Sequence, residues 1–375
     1  MSQKNGRNRI LIATGGTGGH LFPAQALARE FSKAHPDSEI LFVGKGLGSN
    51  RCFLRSEFSF QEVSSASLSF KKNFLSSFLA ILRGIKQSYK ILKEYDPSVV
   101  IGFGSFYSFP TLVASLFKKV PFILFEPNAE AGKVNRLFSR WAKVTAIQFS
   151  GVAEKLKGKI LEVQVPLWQK EDQVSLSQEE ARSYFYLDPS KTTLLVFGGS
   201  QGAAAINQLF LQAAKNMHKI DPDFQIIHIA GDSEKADELR KEYERSGIVA
   251  CVKPFEDRMN LAWRAASLVV CRAGAASLAE QIAFEVPGIL IPYPYAADDH
   301  QKKNALFMET CVKGAVYIPQ MQLTSESLGK KIQDLLCPEK KCLEKMRLAM
   351  GSFKMQENRM SFVSLVDEVL CLKKL

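Results

Sequence analysis

The chain lacks most of the features that announce a protein's class directly. Its 375 residues contain no uninterrupted apolar stretch of about 18, so no segment reads as a membrane span. Seven cysteines are an odd count with no CxxC pair, which fits free thiols in a reducing cytosol rather than a disulfide framework. Positive charge near the N-terminus is followed by an apolar run too short for a signal-peptide core and soon broken by glycines. Short-period repeats and low-complexity segments are missing too. Acidic residues are the scarce charge: 38 Asp and Glu face 49 Lys and Arg, a net +11 and a pI near 9.2. That excess favours an anionic partner, whether nucleic acid, acidic lipid headgroups or a pyrophosphate substrate. No basic stripe interleaved with aromatics occurs, so nucleic acid is not expected. The chain reads as cytoplasmic.

What is present is alternation. A hydrophobic content of 46% and a charged content of 23% are ordinary for a globular protein, and 375 residues exceed what one core usually serves. Two domains are therefore expected. Apolar runs at Arg9–Ala13, Ile40–Val43, Val99–Ile101, Phe122–Phe125 and Val144–Ala146 read as strands, with helical patterns between them, the first over Pro23–Ala34. Polar, Pro-containing sequence over 164–192 is a linker candidate. The alternation then restarts, with strands at Leu194–Phe197, Gln225–Ala230, Leu268–Cys271 and Ile289–Pro292 and a helix at Ala203–Met217. The end, Phe353–Leu372, is helical in pattern. This order predicts an α/β protein of doubly wound parallel sheets.

Two glycine turns half a chain apart carry the chemistry. Gly15-Gly16-Thr17-Gly18-Gly19-His20 follows the first strand, and Gly198-Gly199-Ser200-Gln201-Gly202 follows Leu194–Phe197. Bare backbone N–H groups between a strand and a helix make a phosphate or pyrophosphate site. The dinucleotide fingerprint fails here: in a GxGxxG frame from Gly16 the last glycine falls on Leu21, and Phe42-Val43-Gly44-Lys45 offers no acid to a ribose. Neither turn has P-loop spacing. Cys271-Arg272-Ala273-Gly274, running into Ala275–Glu280, also joins a strand to a helix. Glu280 falls one to two turns into that helix, where a carboxylate can accept two ribose hydroxyls. Pro292-Tyr293-Pro294-Tyr295 and the following Asp298-Asp299-His300-Gln301, with Asn304, suit a sugar-binding loop.

In order along the chain, GGTGGH, Glu126-Pro127-Asn128, GGSQGA, CRAGA with Glu280, and PYPYAADDHQ closely resemble the MurG family. These are the cytoplasmic UDP-N-acetylglucosamine:lipid I N-acetylglucosaminyltransferases of peptidoglycan synthesis. The resemblance implies a GT-B fold, two Rossmann-like domains with an interdomain cleft. Residues 1–164 would face acceptor and membrane, 165–352 would bind UDP-GlcNAc, and a C-terminal helix within 353–375 would pack back on the first domain. The implied reaction is an inverting transfer from UDP-GlcNAc to a lipid-linked MurNAc-peptide, without metal or cofactor. Its place would be the cytoplasmic face of the bacterial inner membrane, as a peripheral protein.

The family's donor contacts fall on Thr17, Gly18, Gly19, Asn128, Ser200, Ala275, Ala276, Ser277, Leu278, Ala279, Glu280 and Gln301. Glu280 would hold the uridine ribose, Ser200 and its loop the diphosphate, and Gln301 the sugar hydroxyls. The loops Gly15–His20 and Gly102–Ser108 would receive the acceptor's pyrophosphate. His20 is the candidate base, because imidazole changes charge near cytosolic pH; a helix-capping or acceptor-phosphate contact suits it equally, and Glu126 is the rival.

Three positions depart from the family pattern. Trp168 stands where the family has a donor-binding arginine, which leaves Arg272 to offset the diphosphate's charge. Gly102-Phe103-Gly104-Ser105-Phe106-Tyr107-Ser108 is bulkier than the usual loop, and Glu256 takes an apolar position beside the uracil pocket. Asp221-Pro222-Asp223 has the form of a metal-binding DxD but a turn-like context, and adjacent side chains in Asp298-Asp299-His300 diverge on an extended loop. Over Lys71–Lys93, Phe74, Leu75, Phe78, Leu79, Ile81, Leu82 and Ile85 recur at helical spacing, flanked by Lys71, Lys72, Arg83, Lys86, Lys90 and Lys93. Such a stripe suits an anionic membrane surface or packing on a sheet. Another glycolipid acceptor, a nucleotide-sugar epimerase, and a membrane-associated UDP-sugar-binding protein with weak catalysis are the alternatives.

Overall fold

The computed structural model describes residues 8–16, 18–66, 74–168, 176–199, 203–355 and 359–372. Thr17, Ser200, Lys71 and Lys72, and the side chain of Phe74, lie outside the described residues. The chain forms two compact units, residues 1–168 with 359–375, and residues 169–358.

In the first unit the order is β1 (Arg9–Ala13), α1 (Gly18–Ala34), β2 (Glu39–Gly44), β3 (Ser59–Glu62), α2 (Phe74–Tyr95), β4 (Val99–Gly102), α3 (Ser105–Lys118), β5 (Phe122–Glu126), α4 (Lys133–Phe138), β6 (Val144–Ile147) and β7 (Ile160–Gln164). Ile10 and Ile12 enter one core with Leu21, Leu27 and Phe31 of α1, while Leu11 and Ala13 enter the opposite core with Ile91 of α2 and Leu112 of α3. That two-residue alternation, apolar on both faces, is the signature of a parallel sheet covered by helices on each side.

The second unit runs α5 (Gln178–Tyr184), β8 (Thr192–Phe197), α6 (Ala204–His218), β9 (Phe224–Ile229), α7 (Ser233–Arg245), β10 (Ala250–Lys253), α8 (Met259–Ala265), β11 (Leu268–Cys271), α9 (Ala275–Phe284), β12 (Gly288–Leu290), α10 (His300–Phe307), β13 (Ala315–Tyr317), α11 (Ser325–Leu336) and α12 (Cys342–Met355). Its six strands are ordered β10-β9-β8-β11-β12-β13, all parallel. The chain then returns to the first unit as β14 (Met360–Ser361) and α13 (Phe362–Leu372). The first sheet is thereby completed as β14-β7-β6-β5-β4-β1-β2-β3.

Three local expectations are corrected. The first helix begins at Gly18, not Pro23; Pro23 sits inside it, and lacking an N–H it leaves the Gly19 carbonyl without its helical donor. His20 therefore rides on the first turn of a helix. The linker region holds α5, whose start is a capping box: Ser177 Oγ accepts from Glu180 N, and Ser177 N donates to Glu180 Oε2. The C-terminal segment is not one helix, because Met360 and Ser361 pair in parallel with Val163 and Gln164 of β7 and interrupt it. Beyond that break, Phe362 is buried against Phe125, with ring centroids 5.2 Å apart.

Candidate active site

Each sheet has a switch point, where strands on either side are reached by connections running in opposite directions; ligands of open α/β sheets bind outside the carboxyl ends of the strands there. In the second unit it lies between β8 and β11, whose last residues Phe197 and Cys271 are register partners. Gly198-Gly199 leaves β8 with Gly199 at φ +90, a left-handed conformation that glycine adopts without strain. Beside it, α9 starts after Gly274, an N-cap residue with no side chain to close the helix, and its first turn holds no acid. A helix start of this kind presents amides and the positive end of the dipole to an anion.

Around this point the strand ends are cross-tied. Arg272 Nη1 donates to the carbonyls of Ile291 and Pro292, both at 3.0 Å, and the guanidinium lies 5.5 Å from the centre of the Tyr293 ring. Asn304 Nδ2 donates to Ala273 O at 3.0 Å, which ties α10 to the loop after β11. Gln301 Oε1 accepts from Tyr293 N at 2.9 Å, which ties the start of α10 to the loop after β12. The buried His228 of β9 bridges Tyr243 of α7 at 2.8 Å and Asn207 of α6 at 3.2 Å. Glu280, partly buried on α9, accepts from Trp263 Nε1 at 2.7 Å, and burial pushes its carboxyl up to about 7. Trp263 was not singled out from sequence: no spacing rule joins a residue of α8 to one of α9.

The first unit's switch point lies between β1 and β4, with Ala13 and Gly102 in register. Gly16 has φ +88, and Tyr107 lies so close that a Cβ on Gly16 would come within 2.8 Å of its ring. The first turn of α3, reached from β4, thus backs the glycine turn directly. Its own backbone is bent at Gly104 (φ +71) and Ser105 (φ +62), and Ser108 Oγ donates to both of their carbonyls. His20, partly buried, stands one turn into α1.

Glu126 ends β5 at 2% exposure. One carboxylate oxygen accepts from Asn128 N and Nδ2 at 3.1 and 3.2 Å, the other from Gly132 N at 2.8 Å and Asn135 Nδ2 at 2.9 Å. Burial pushes this carboxyl up, against the pull of those N–H donors. A carboxylate held from both oxygens ties the loop 127–132 and the first turn of α4 to the end of β5.

Residues 10–147 match the glycosyltransferase family 28 N-terminal domain, and residues 193–361 match its C-terminal domain. The UDP-N-acetylglucosamine–N-acetylmuramyl-(pentapeptide) pyrophosphoryl-undecaprenol N-acetylglucosamine transferase of Protochlamydia amoebophila is 45% identical over 369 residues, covering 98% of this chain and 97% of its own. The chain belongs to that family. It is a glycosyltransferase, and the like-named protein of Chlamydia felis is 35% identical over 97% of this chain and 99% of its own. Acinetobacter baumannii MurG has the same fold, with a TM-score of 0.73 at 22% identity, covering 98% of this chain and 100% of that one. A UDP-glucose:anthocyanidin 3-O-glucosyltransferase solved with UDP scores 0.68 at 14% identity, over 98% and 99% of the two chains. The two parallel-sheet α/β units are those of the GT-B fold.

Against the family pattern, Trp168 packs in the first unit, with the Arg29 guanidinium 3.7 Å from its ring centre and Phe22 at 6.2 Å. The buried Glu256 accepts from Lys253 Nζ at 2.6 Å and Arg258 N at 2.8 Å, so its charge is paired at the end of β10. Asp221 Oδ1 accepts from Asp223 N at 3.0 Å, a local turn before β9. On α2, Ile81, Gly84, Ser88, Ile91 and Leu92 face inward, and Gly84 is so close to Ser64 O that a Cβ would stand 1.8 Å from it. Leu75, Phe78, Leu79 and Leu82 face outward at 44–70% exposure. No helix among the described residues is long and apolar enough to cross a membrane.

Proposed function

We propose that the second unit holds the nucleotide of UDP-GlcNAc and that the first receives the lipid-linked MurNAc-peptide acceptor and supplies the base. The observation that carries this reading is the β8/β11 switch point, where a glycine turn follows β8 and, after β11, an N-cap without a side chain opens the helix that carries the Glu280 carboxylate. Ser200 and the Gly198–Gly202 amides, with Ala275–Ala279 of the α9 start, take the diphosphate; Glu280 takes the ribose diol; Gln301 offers its amide to the sugar. Arg272 adds positive charge in the role the family gives to the arginine replaced by Trp168. In the first unit, the turn backed by Tyr107 receives the acceptor's pyrophosphate.

In this reading the acceptor hydroxyl attacks C1 of GlcNAc from the face opposite UDP. The C1–O bond to the β-phosphate breaks, its electron pair leaves on UDP, and the hydroxyl proton passes to His20. Helix and loop amides meet the charge that develops on UDP. Glu126 acts as a positioning residue for Asn128. The exposed apolar face of α2, bordered by Arg83, Lys86, Lys90 and Lys93, seats the protein on an anionic lipid surface at the cytoplasmic side of the membrane. The test is His20→Ala: transfer to a lipid I analogue should fall about 10²–10⁴-fold, the usual worth of a general base, while UDP-GlcNAc binding is retained. Unchanged transfer would remove His20 from the base role.

A further inference from the structure

We propose that Trp263 is a positioning residue for the donor's ribose, holding the Glu280 carboxylate in the orientation that accepts both ribose hydroxyls. This rests on the reading of Glu280 given above. Trp263 is fully buried in α8, and its ring meets Phe197 edge-on with centroids 5.5 Å apart. Phe197 is the last residue of β8, immediately before the glycine turn. The indole N–H reaches across to Glu280 Oε2 at 2.7 Å. One rigid side chain thus joins the strand that launches the diphosphate turn to the carboxylate on α9.

The bond also restricts a flexible group. A glutamate has three side-chain torsions, and a donor locked in the core removes most of that freedom before the ligand arrives. With one lone pair of Oε2 taken by the indole, Oε1 and the remaining lone pair of Oε2 are left, two acceptors for a vicinal diol. The indole N–H favours the ionised carboxylate and burial opposes it; of the titratable neighbours, the buried Cys271 thiol feels both Glu280 and Arg272. Removing the N–H should therefore loosen the carboxylate and make it harder to ionise.

The experiment replaces Trp263 in the full chain by 3-benzothienylalanine, which keeps the ring's shape and deletes only the donor, with Trp263→Phe beside it. Calorimetry with UDP and with 2′-deoxy-UDP measures discrimination, and UDP-GlcNAc titrations from pH 5.5 to 8.5 measure the ionisation. The expected result is UDP affinity reduced about ten-fold, the worth of a hydrogen bond to a charged group. Affinity for 2′-deoxy-UDP, which keeps only one of the two hydroxyls, should fall by less than affinity for UDP, the rise of UDP-GlcNAc affinity with pH should move to higher pH, and kcat should hold. Wild-type discrimination and an unmoved pH profile in the benzothienyl protein, with discrimination lost in Glu280→Gln, would overturn the positioning role and leave the ribose reading standing. Full discrimination in Glu280→Gln would overturn both.

Discussion

The Arg29 guanidinium sits over Trp168 with its carbon 3.7 Å from the ring centre, while its Nε and Nη2 each meet a Glu57 oxygen at 2.5 Å. Position 168 is thus part of the packing of α1. Restoring the family's arginine by Trp168→Arg would set two guanidinium groups against each other. The expected loss is about 1–2 kcal/mol, combining a cation–π contact with a like-charge contact, and donor affinity should not rise. Urea unfolding and UDP-GlcNAc calorimetry on the same variant check both halves.

Glu280 gives a pH-dependent prediction. Its carboxyl is raised from 4.5 to about 7 on folding, so the stability it contributes is fully present below pH 4.5 and is lost as pH rises through 7. Glu280→Gln removes that loss. Without ligand, the variant's stability relative to wild type should grow between pH 4.5 and 7, level off above, and gain about 3 kcal/mol across that window. A difference independent of pH across that window would contradict the shift.

Glu126→Gln tests the anchoring role of the carboxylate. The amide turns an NH2 toward donors that now meet an oxygen, either the Gly132 or the Asn128 amide. Leaving a buried donor unmatched costs about 1–3 kcal/mol, so a lowered melting temperature is expected. The donor KM should rise with it, through displaced Asn128. A variant with wild-type stability but no transfer would instead make Glu126 the base.

Much of this was readable from residues alone, for a physical reason. Apolar runs such as Leu194–Phe197 are buried on both faces, so their composition is constrained throughout, and the two glycine turns need φ near +90 at Gly16 and Gly199, which glycine alone meets without strain. Short edge strands carry no such constraint: β14 is two residues long and only its pairing with β7 defines it. The start of α1 was hidden because glycines and Pro23 argue against a helix that tertiary packing of Leu21, Leu27 and Phe31 imposes. The Trp263–Glu280 and Glu126–Asn135 bonds join separate elements, and periodicity along a chain holds no record of such pairs.

The outward face of α2 makes a surface prediction. Leu75 and Leu79 are 70% and 56% exposed, so Leu75→Gln with Leu79→Gln should leave the melting temperature within a degree or so, as surface changes do. Partition onto vesicles containing anionic lipid should fall by about ten-fold or more, since each leucine buried in the interface contributes about 1.5–3 kcal/mol. Raised salt should weaken wild-type binding as well. Unchanged vesicle binding would place the membrane contact elsewhere.

The most direct measurement of the whole is product formation by the purified protein from labelled UDP-GlcNAc and a lipid I analogue, with its stereochemistry determined. The expected result is a β-linked GlcNAc–MurNAc lipid product formed with inversion at C1, lost in His20→Ala and formed with a raised donor KM in Glu280→Ala. Release of UDP with no disaccharide product, or transfer only to other acceptors, would contradict it.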